Sequence, residues 1–197
     1  VIYNVNVDEQ LVLDEKPDAI VVATGAAYFQ PDFIGINNEK VKTLKDILES
    51  PESAGNDTVI CGGGISGLEC AVMLGKYGRN VTVIDQNPEN MMGSQVPAYY
   101  LNEIMELLRK FGVKLKGDRV IKKFSDYGVV LADSQGKLHL LKADTYVIAL
   151  GLVPQDNLIT RLGKSCEANL YSVGACISSG RNLYNAVHDA FNISRCI

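Results

Sequence analysis

Apolar and polar positions along the chain alternate between two rhythms. Ala19 to Ala23 and Tyr146 to Leu150 are short continuous apolar runs, each ending in a glycine (Gly25, Gly151), as buried strands do. Val1 to Val7 and Leu11 to Leu13 read as strand-like material. Thr43 to Leu48 predicts a short helix, and Ser50 to Asp57, with Pro51, Gly55 and Asn56, predicts a linker. Thr58 to Cys61 predicts a strand. Leu68, Ala71, Val72 and Leu74 then fall on one helical face, closed by Gly78. Asn80 to Asp85 carries β-branched Val81, Val83 and Ile84 and predicts a second strand. Leu101, Ile104, Met105, Leu108 and Phe111 repeat at 3.6 residues between Pro97 and Phe111, ahead of a third strand at Val113 to Lys116.

From Arg119 to Lys142 the helical period disappears. Val120–Phe124, Gly128–Ala132 and Lys137–Lys142 predict three antiparallel strands, the last two joined by Asp133-Ser134-Gln135-Gly136. Strands follow at Asp144 to Leu150 and Leu170 to Val173. Asn182 to Arg195 predicts an amphipathic helix with Leu183, Ala186, Val187, Ala190 and Phe191 on one side. The expected fold is α/β: a Rossmann-like doubly wound parallel sheet with an antiparallel β-meander.

The chemistry concentrates after the strand at Thr58 to Cys61. Gly62, Gly63, Gly64, Ile65, Ser66 and Gly67 form a Gly-x-Gly-x-x-Gly turn leading into a helix. Gly62 permits a tight turn, Gly64 lets a pyrophosphate approach the backbone, and Gly67 lets the helix pack closely. The helix start offers unpaired N–H groups and a positive dipole end. Asp85 lies 18 residues past Gly67, at the end of the next strand, where a carboxylate would accept from ribose hydroxyls. Gln86, Asn87 and Pro88 bring no cation for a 2′-phosphate, and Lys76 and Arg79 precede the strand. NAD(H) is therefore expected over NADPH. FAD uses the same fingerprint and competes for this reading, as does a glycine turn without any ligand.

Composition narrows the remaining classes. The chain has 197 residues, 47% hydrophobic, with a formal charge of -4. It contains no basic block, which argues against nucleic acid. Its apolar runs are too short to span a bilayer, and Val1 to Val7 does not resemble a signal peptide. Cys61, Cys70, Cys166, Cys176 and Cys196 form no Cys-x-x-Cys pair. No metal site and no disulfide framework are expected, and a reducing cytoplasm is the default. No catalytic residue is assigned. His139 alternates with Leu138 and Leu140 and is expected on the surface. His188, on the last predicted helix, is expected in a surface or packing role.

Four stretches resemble flavoproteins with two dinucleotide-binding domains. They are Asp18 to Gly25, Val59 to Glu69, Tyr146 to Pro154, and Tyr171 to Gly174 followed by Gly180 to His188. The nearest resemblance is to the C-terminal half of the 2-enoate reductase and 2,4-dienoyl-CoA reductase family, whose N-terminal half is an old-yellow-enzyme-like barrel carrying FMN. The resemblance implies an NAD(H)-binding domain over 55–152, with parts of an FAD domain over 1–54 and 153–197. It places Glu69 near the cofactor and Gly151 near its pyrophosphate or nicotinamide. It also implies hydride transfer from NADH to FAD and onward to an unsaturated acid or thioester.

The chain departs from that pattern. It begins downstream of the family's own FAD glycine motif. Where the family has Gly-Asp for the flavin, this sequence has Gly174-Ala175. The expectation is an incomplete, inactive part of a larger enzyme. The missing FAD/FMN-barrel portion would be its partner, and assembly with further copies of itself stays open. Two alternatives stand beside it: a non-catalytic adenine-dinucleotide module, or a subunit whose flavin site needs a partner chain.

Overall fold

The computed structural model describes residues 1–197 as two compact units, Tyr28–Gly151 and Val1–Ala27 with Leu152–Ile197. In chain order the elements begin with α1 (Glu9–Glu15), β1 (Ala19–Val22), β2 (Ala26–Tyr28), β3 (Val41–Thr43), α2 (Leu44–Glu49) and β4 (Asp57–Cys61). Next come α3 (Ile65–Lys76), β5 (Asn80–Ile84), α4 (Ala98–Lys110), β6 (Lys114–Lys116), β7 (Val120–Ser125), β8 (Gly128–Ala132), β9 (Leu138–Leu141) and β10 (Thr145–Ile148). The chain closes with β11 (Leu152–Pro154), α5 (Asn157–Ser165), β12 (Asn169–Ser172) and α6 (Leu183–Ser194).

The unit at 28–151 is built on a parallel sheet of order β3-β10-β4-β5-β6. Its central strands are apolar on both faces, as strands covered on both sides must be. Ile60, Val81, Val83 and Val147 face a core with α2, α3 and α4, which includes Leu68, Leu74, Ile104 and Leu108. Val59, Cys61, Ile84, Tyr146 and Ile148 face the other way, onto Phe124, Val129 and Leu131 of the meander. The meander β7-β8-β9 is antiparallel throughout, so the second face is covered by strands rather than helices. This is the α/β architecture expected from the two rhythms.

One strand of this sheet was not legible. The short β3 lies ahead of the Ser50–Asp57 linker and pairs with β10, so this compact unit begins at Tyr28. Thr43 then caps α2 by a reciprocal pair: the Asp46 N–H donates to Thr43 Oγ1 at 3.1 Å, and the Thr43 N–H donates to Asp46 Oδ2 at 2.9 Å.

The second unit is smaller in structure. β1 pairs in parallel with β12, and β11 pairs with β2. Its core gathers Val12, Val22 and Leu162 with Ile20, Leu158, Ile159 and Leu170. Two expectations are corrected here. Val1 to Val7 forms no strand. Leu11 to Leu13 belongs to helix α1, because the Asp8 carboxylate accepts from the Leu11 N–H at 2.9 Å and starts a helix that buries Val12. Helix α5 was not anticipated. Its Leu158, Ile159 and Leu162 are spaced for one helical face, but they sit in a segment with little other periodicity. Helix α6 forms where expected, yet Leu183, Tyr184, Val187 and Phe191 are all exposed.

Candidate functional site

Register brings three loops together at one end of the sheet. Cys61 pairs with Ile84, and Ile84 with Lys116, so Gly62, Asp85 and Gly117 leave their strands side by side. β10 lies on the opposite side of β4 from β5, so the order in which the chain adds parallel strands reverses between β4 and β10. In open parallel sheets, ligands occupy the crevice outside the strand C-termini at such a point. A cleft of about 420 Å³ lies there. Its walls include Gly62 and Gly64, Asp85 to Asn87, Gln95, Arg119 to Ile121, Ala149 and Leu150, with Phe29 and Phe33 over it.

The glycines do distinct jobs. Gly62 has φ +123°, and a Cβ there would run into the Ala149 carbonyl. A Cβ on Gly67 would strike the Gly62 carbonyl, so Gly67 is what lets α3 sit against the turn. At Gly64 the nearest atom to an added Cβ is Gln95 Nε2, at 4.0 Å. Nothing in the fold requires a glycine there, but a side chain would project into the cleft wall. α3 is twelve residues long and has no side-chain cap, so its first N–H groups remain available to an anion.

Asp85 is fixed by the backbone. The Gly63 N–H donates to Oδ2 at 2.6 Å, and the Asn87 N–H donates to Oδ1 at 2.7 Å. Each oxygen keeps a further lone pair for a hydroxyl donor. The carboxylate therefore does two things at once: it pins the glycine turn and faces the cleft. Met92 packs under the same turn, where the Gly93 N–H donates to the Gly63 carbonyl at 2.9 Å. Met92 is core, while Met91 is exposed.

Not every residue singled out from the sequence converges here. Gln86 lines the cleft. Ile65 and Ser66 open α3. Glu69 points instead to α4, where it accepts from the Tyr100 hydroxyl. That bond, with burial second, raises the Tyr100 pKa. Gly151 adopts φ +95° and accepts from the Phe29 N–H at 3.0 Å, but does not line the cleft. His139 is half-buried against Asp133 Oδ2 at 2.7 Å, and His188 packs on Tyr184. All five cysteines are free, and no group of side chains could hold a metal ion. No helix is long and apolar enough to cross a membrane.

The residues missed are those brought in by strand order: Ala149 and Leu150 after β10, and Arg119 to Ile121 after β6. The rule that parallel strands present their C-terminal ends to one crevice would have flagged them. Arg119 changes the chemistry most, since it sets a cation on the cleft wall near Asp85.

In the other unit, Gly174 has φ +72° and its N–H donates to Asp189 Oδ2 at 3.1 Å. Arg181 donates to the same oxygen. The guanidinium first, then the Gly174 N–H, hold the Asp189 carboxyl below the ordinary carboxylate range.

A glycine turn feeding an uncapped helix, with a carboxylate on the next strand, defines a dinucleotide-binding α/β domain. Residues 4–189 match the pyridine nucleotide-disulphide oxidoreductase family, and the chain belongs to it. The family comprises flavin-dependent, NAD(H)-linked oxidoreductases that bind NAD(H) and FAD. A cinnamate reductase of Clostridium sporogenes is 26% identical over 196 residues, which are 98% of this chain and 29% of the relative. An NADH oxidase of Thermoanaerobacter brockii is 23% identical over 194 residues, 96% of this chain and 29% of the relative. The structure of a 2-naphthoyl-CoA reductase with 2-naphthoyl-CoA superposes with TM-score 0.85 at 28% identity, covering 98% of this chain and 29% of that one. The chain thus spans under a third of these relatives' length.

The cleft fits NAD(H): a turn without Cβ atoms at the phosphate position, open helix N–H groups and an oriented carboxylate. At Gly174-Ala175 the residue after the glycine carries a methyl, and the carboxylate at this turn is that of Asp189, which accepts from the Gly174 N–H.

Proposed function

We propose that this chain is the NADH dock of a flavin-dependent reductase, in the line of the 2-enoate reductase and 2,4-dienoyl-CoA reductase family. The observation that carries the reading is Asp85, held by Gly63 and Asn87 with free lone pairs over the cleft. The pyrophosphate rests on the turn Gly62 to Gly67 and the start of α3. The adenine ribose donates its hydroxyls to Asp85, beside Gln86. Asp85 disfavours a 2′-phosphate by like charge, so NADH is preferred. Bound nicotinamide supplies a hydride, and the residues of this chain hold and orient it without taking part in the bond changes.

The segments 1–27 and 152–197, which form a compact unit of their own, are proposed to belong to the flavin half of the whole protein, on either side of an NADH-binding unit at 28–151. An unsaturated acid or thioester is proposed as final acceptor, supported by the resemblance to reductases of cinnamate and of an aromatic CoA thioester. One observation favours a second reading, that of a dinucleotide module without redox activity: Ala175 stands where the resembled family has an Asp for the flavin. A visible spectrum separates the two, since a flavin-holding chain purifies yellow and a bare module does not.

The test of the first reading is a calorimetric titration of the purified chain with NADH. Asp85→Ala is expected to weaken binding about tenfold to a hundredfold, the worth of charge-assisted hydrogen bonds. An unchanged affinity would remove Asp85 from the site. No binding to the unaltered chain would refute the dock.

A further inference from the structure

Arg119 is the one feature of the cleft that works against the preference Asp85 creates. Three backbone hydrogen bonds zip its loop to that of Asp85. The Asp85 N–H donates to the Lys116 carbonyl at 3.1 Å, the Arg119 N–H to the Asp85 carbonyl at 2.8 Å, and the Asp118 N–H to the Asn87 carbonyl at 3.1 Å. Arg119 is thereby fixed beside the ribose-binding carboxylate by the sheet itself. Its side chain is half-buried, donates from Nη1 to the Asp118 carbonyl at 2.9 Å and enters no ion pair. It forms part of the nucleotide cleft and also of an adjoining pocket of about 290 Å³. That pocket is lined by Lys116 and His139 as well, against a single carboxylate, Glu89.

We infer that Arg119 is a specificity-determining residue that admits a 2′-phosphate next to Asp85, so that the site uses NADPH as well as NADH. The inference rests on the dinucleotide reading above. A phosphate on the 2′-oxygen leaves the ribose where Asp85 meets it. The cation in the wall of the cleft is Arg119, and Lys116 lines the adjoining pocket. A guanidinium is always charged and matches phosphate oxygens in a planar fork. It offsets the repulsion from Asp85 instead of replacing that residue. The space beyond the cleft wall gives the phosphate somewhere to sit.

The experiment is a set of calorimetric titrations of the full chain and of its Arg119→Ala and Arg119→Lys variants, each with NADH and with NADPH. Thermal melts verify that the variants are folded. The unaltered chain is expected to bind NADPH within about tenfold of NADH. Arg119→Ala should weaken NADPH a further tenfold or more while moving NADH less than threefold, the signature of one lost charge-assisted contact. Arg119→Lys should recover part of the NADPH affinity. NADH binding with no detectable NADPH binding overturns the inference and leaves the dock standing. Equal weakening of both nucleotides by Arg119→Ala also overturns it, since Arg119 then serves the shared adenosine. Failure of both nucleotides to bind overturns the dinucleotide reading itself, and this inference with it.

Discussion

The two compact units show opposite ways of using the same kind of residue. In residues 28–151, strands β4, β5 and β10 bury apolar side chains on both faces, against helices on one side and the meander on the other. In residues 1–27 with 152–197, a two-stranded parallel pair rests on one small cluster, and α6 turns Leu183, Tyr184, Val187 and Phe191 to solvent. The difference shows that apolar content alone does not make a core. A parallel strand is secure only when both faces are covered.

The sharpest way to break this contrast is at the glycine turn. Gly62→Val or Gly67→Val should destabilise the 28–151 unit by about 3 kcal/mol or more, because each forces a side chain into a backbone carbonyl. A thermal melt would measure it, and a near-neutral result would mean the turn tolerates displacement. Next in size, Ile60→Ala should cost about 3 kcal/mol, whereas Phe191→Ala on the exposed face of α6 should cost about 0.5 kcal/mol or less. Comparable losses in denaturant titrations would show that α6 is covered in solution.

A smaller effect separates the units by pH. Asp189 titrates below its ordinary range when folded, so its contribution to the smaller unit is complete above about pH 4 and fades as pH falls through the lowered value. Hydrogen exchange at the Gly174 amide should therefore accelerate as pH falls below about 4, after correction for intrinsic rates. Asp189→Asn should remove that step. The smallest perturbation is thiol labelling of the native chain. Cys196 is exposed and should react first. Cys61 is buried with its thiol pKa raised, and Cys70 is pushed up to about 12 by burial, so both should resist until the sheet opens. Rapid modification of Cys61 would contradict the tightness assigned to that core.

Much of this was legible because its causes are local. A strand buried on both faces, a helix with an apolar face at 3.6 residues and a glycine that must turn at positive φ leave marks within a few residues. Gly62, Gly67 and Asp85 were marked in this way, as was the change to a meander after Arg119. The misses have a common origin. Leu11 to Leu13 is a short apolar run that reads like a strand, yet the Asp8 cap three residues before Leu11 makes it helical. β3 has only three residues and owes its place to β10, about a hundred positions later. Glu69 follows the motif closely, and its bond with Tyr100 of α4 joins residues 31 positions apart that no local pattern links.

The sequence by itself determined the class of fold and the dinucleotide motif, because short-range periodicity, turn stereochemistry and the spacing from Gly67 to Asp85 are properties of consecutive residues. The tertiary structure decided which strand ends share a crevice, that Asp85 also clamps Gly63, and that Arg119 stands beside it. Those depend on strand order and register, set by hydrogen bonds between segments far apart in the chain, and no local pattern encodes them.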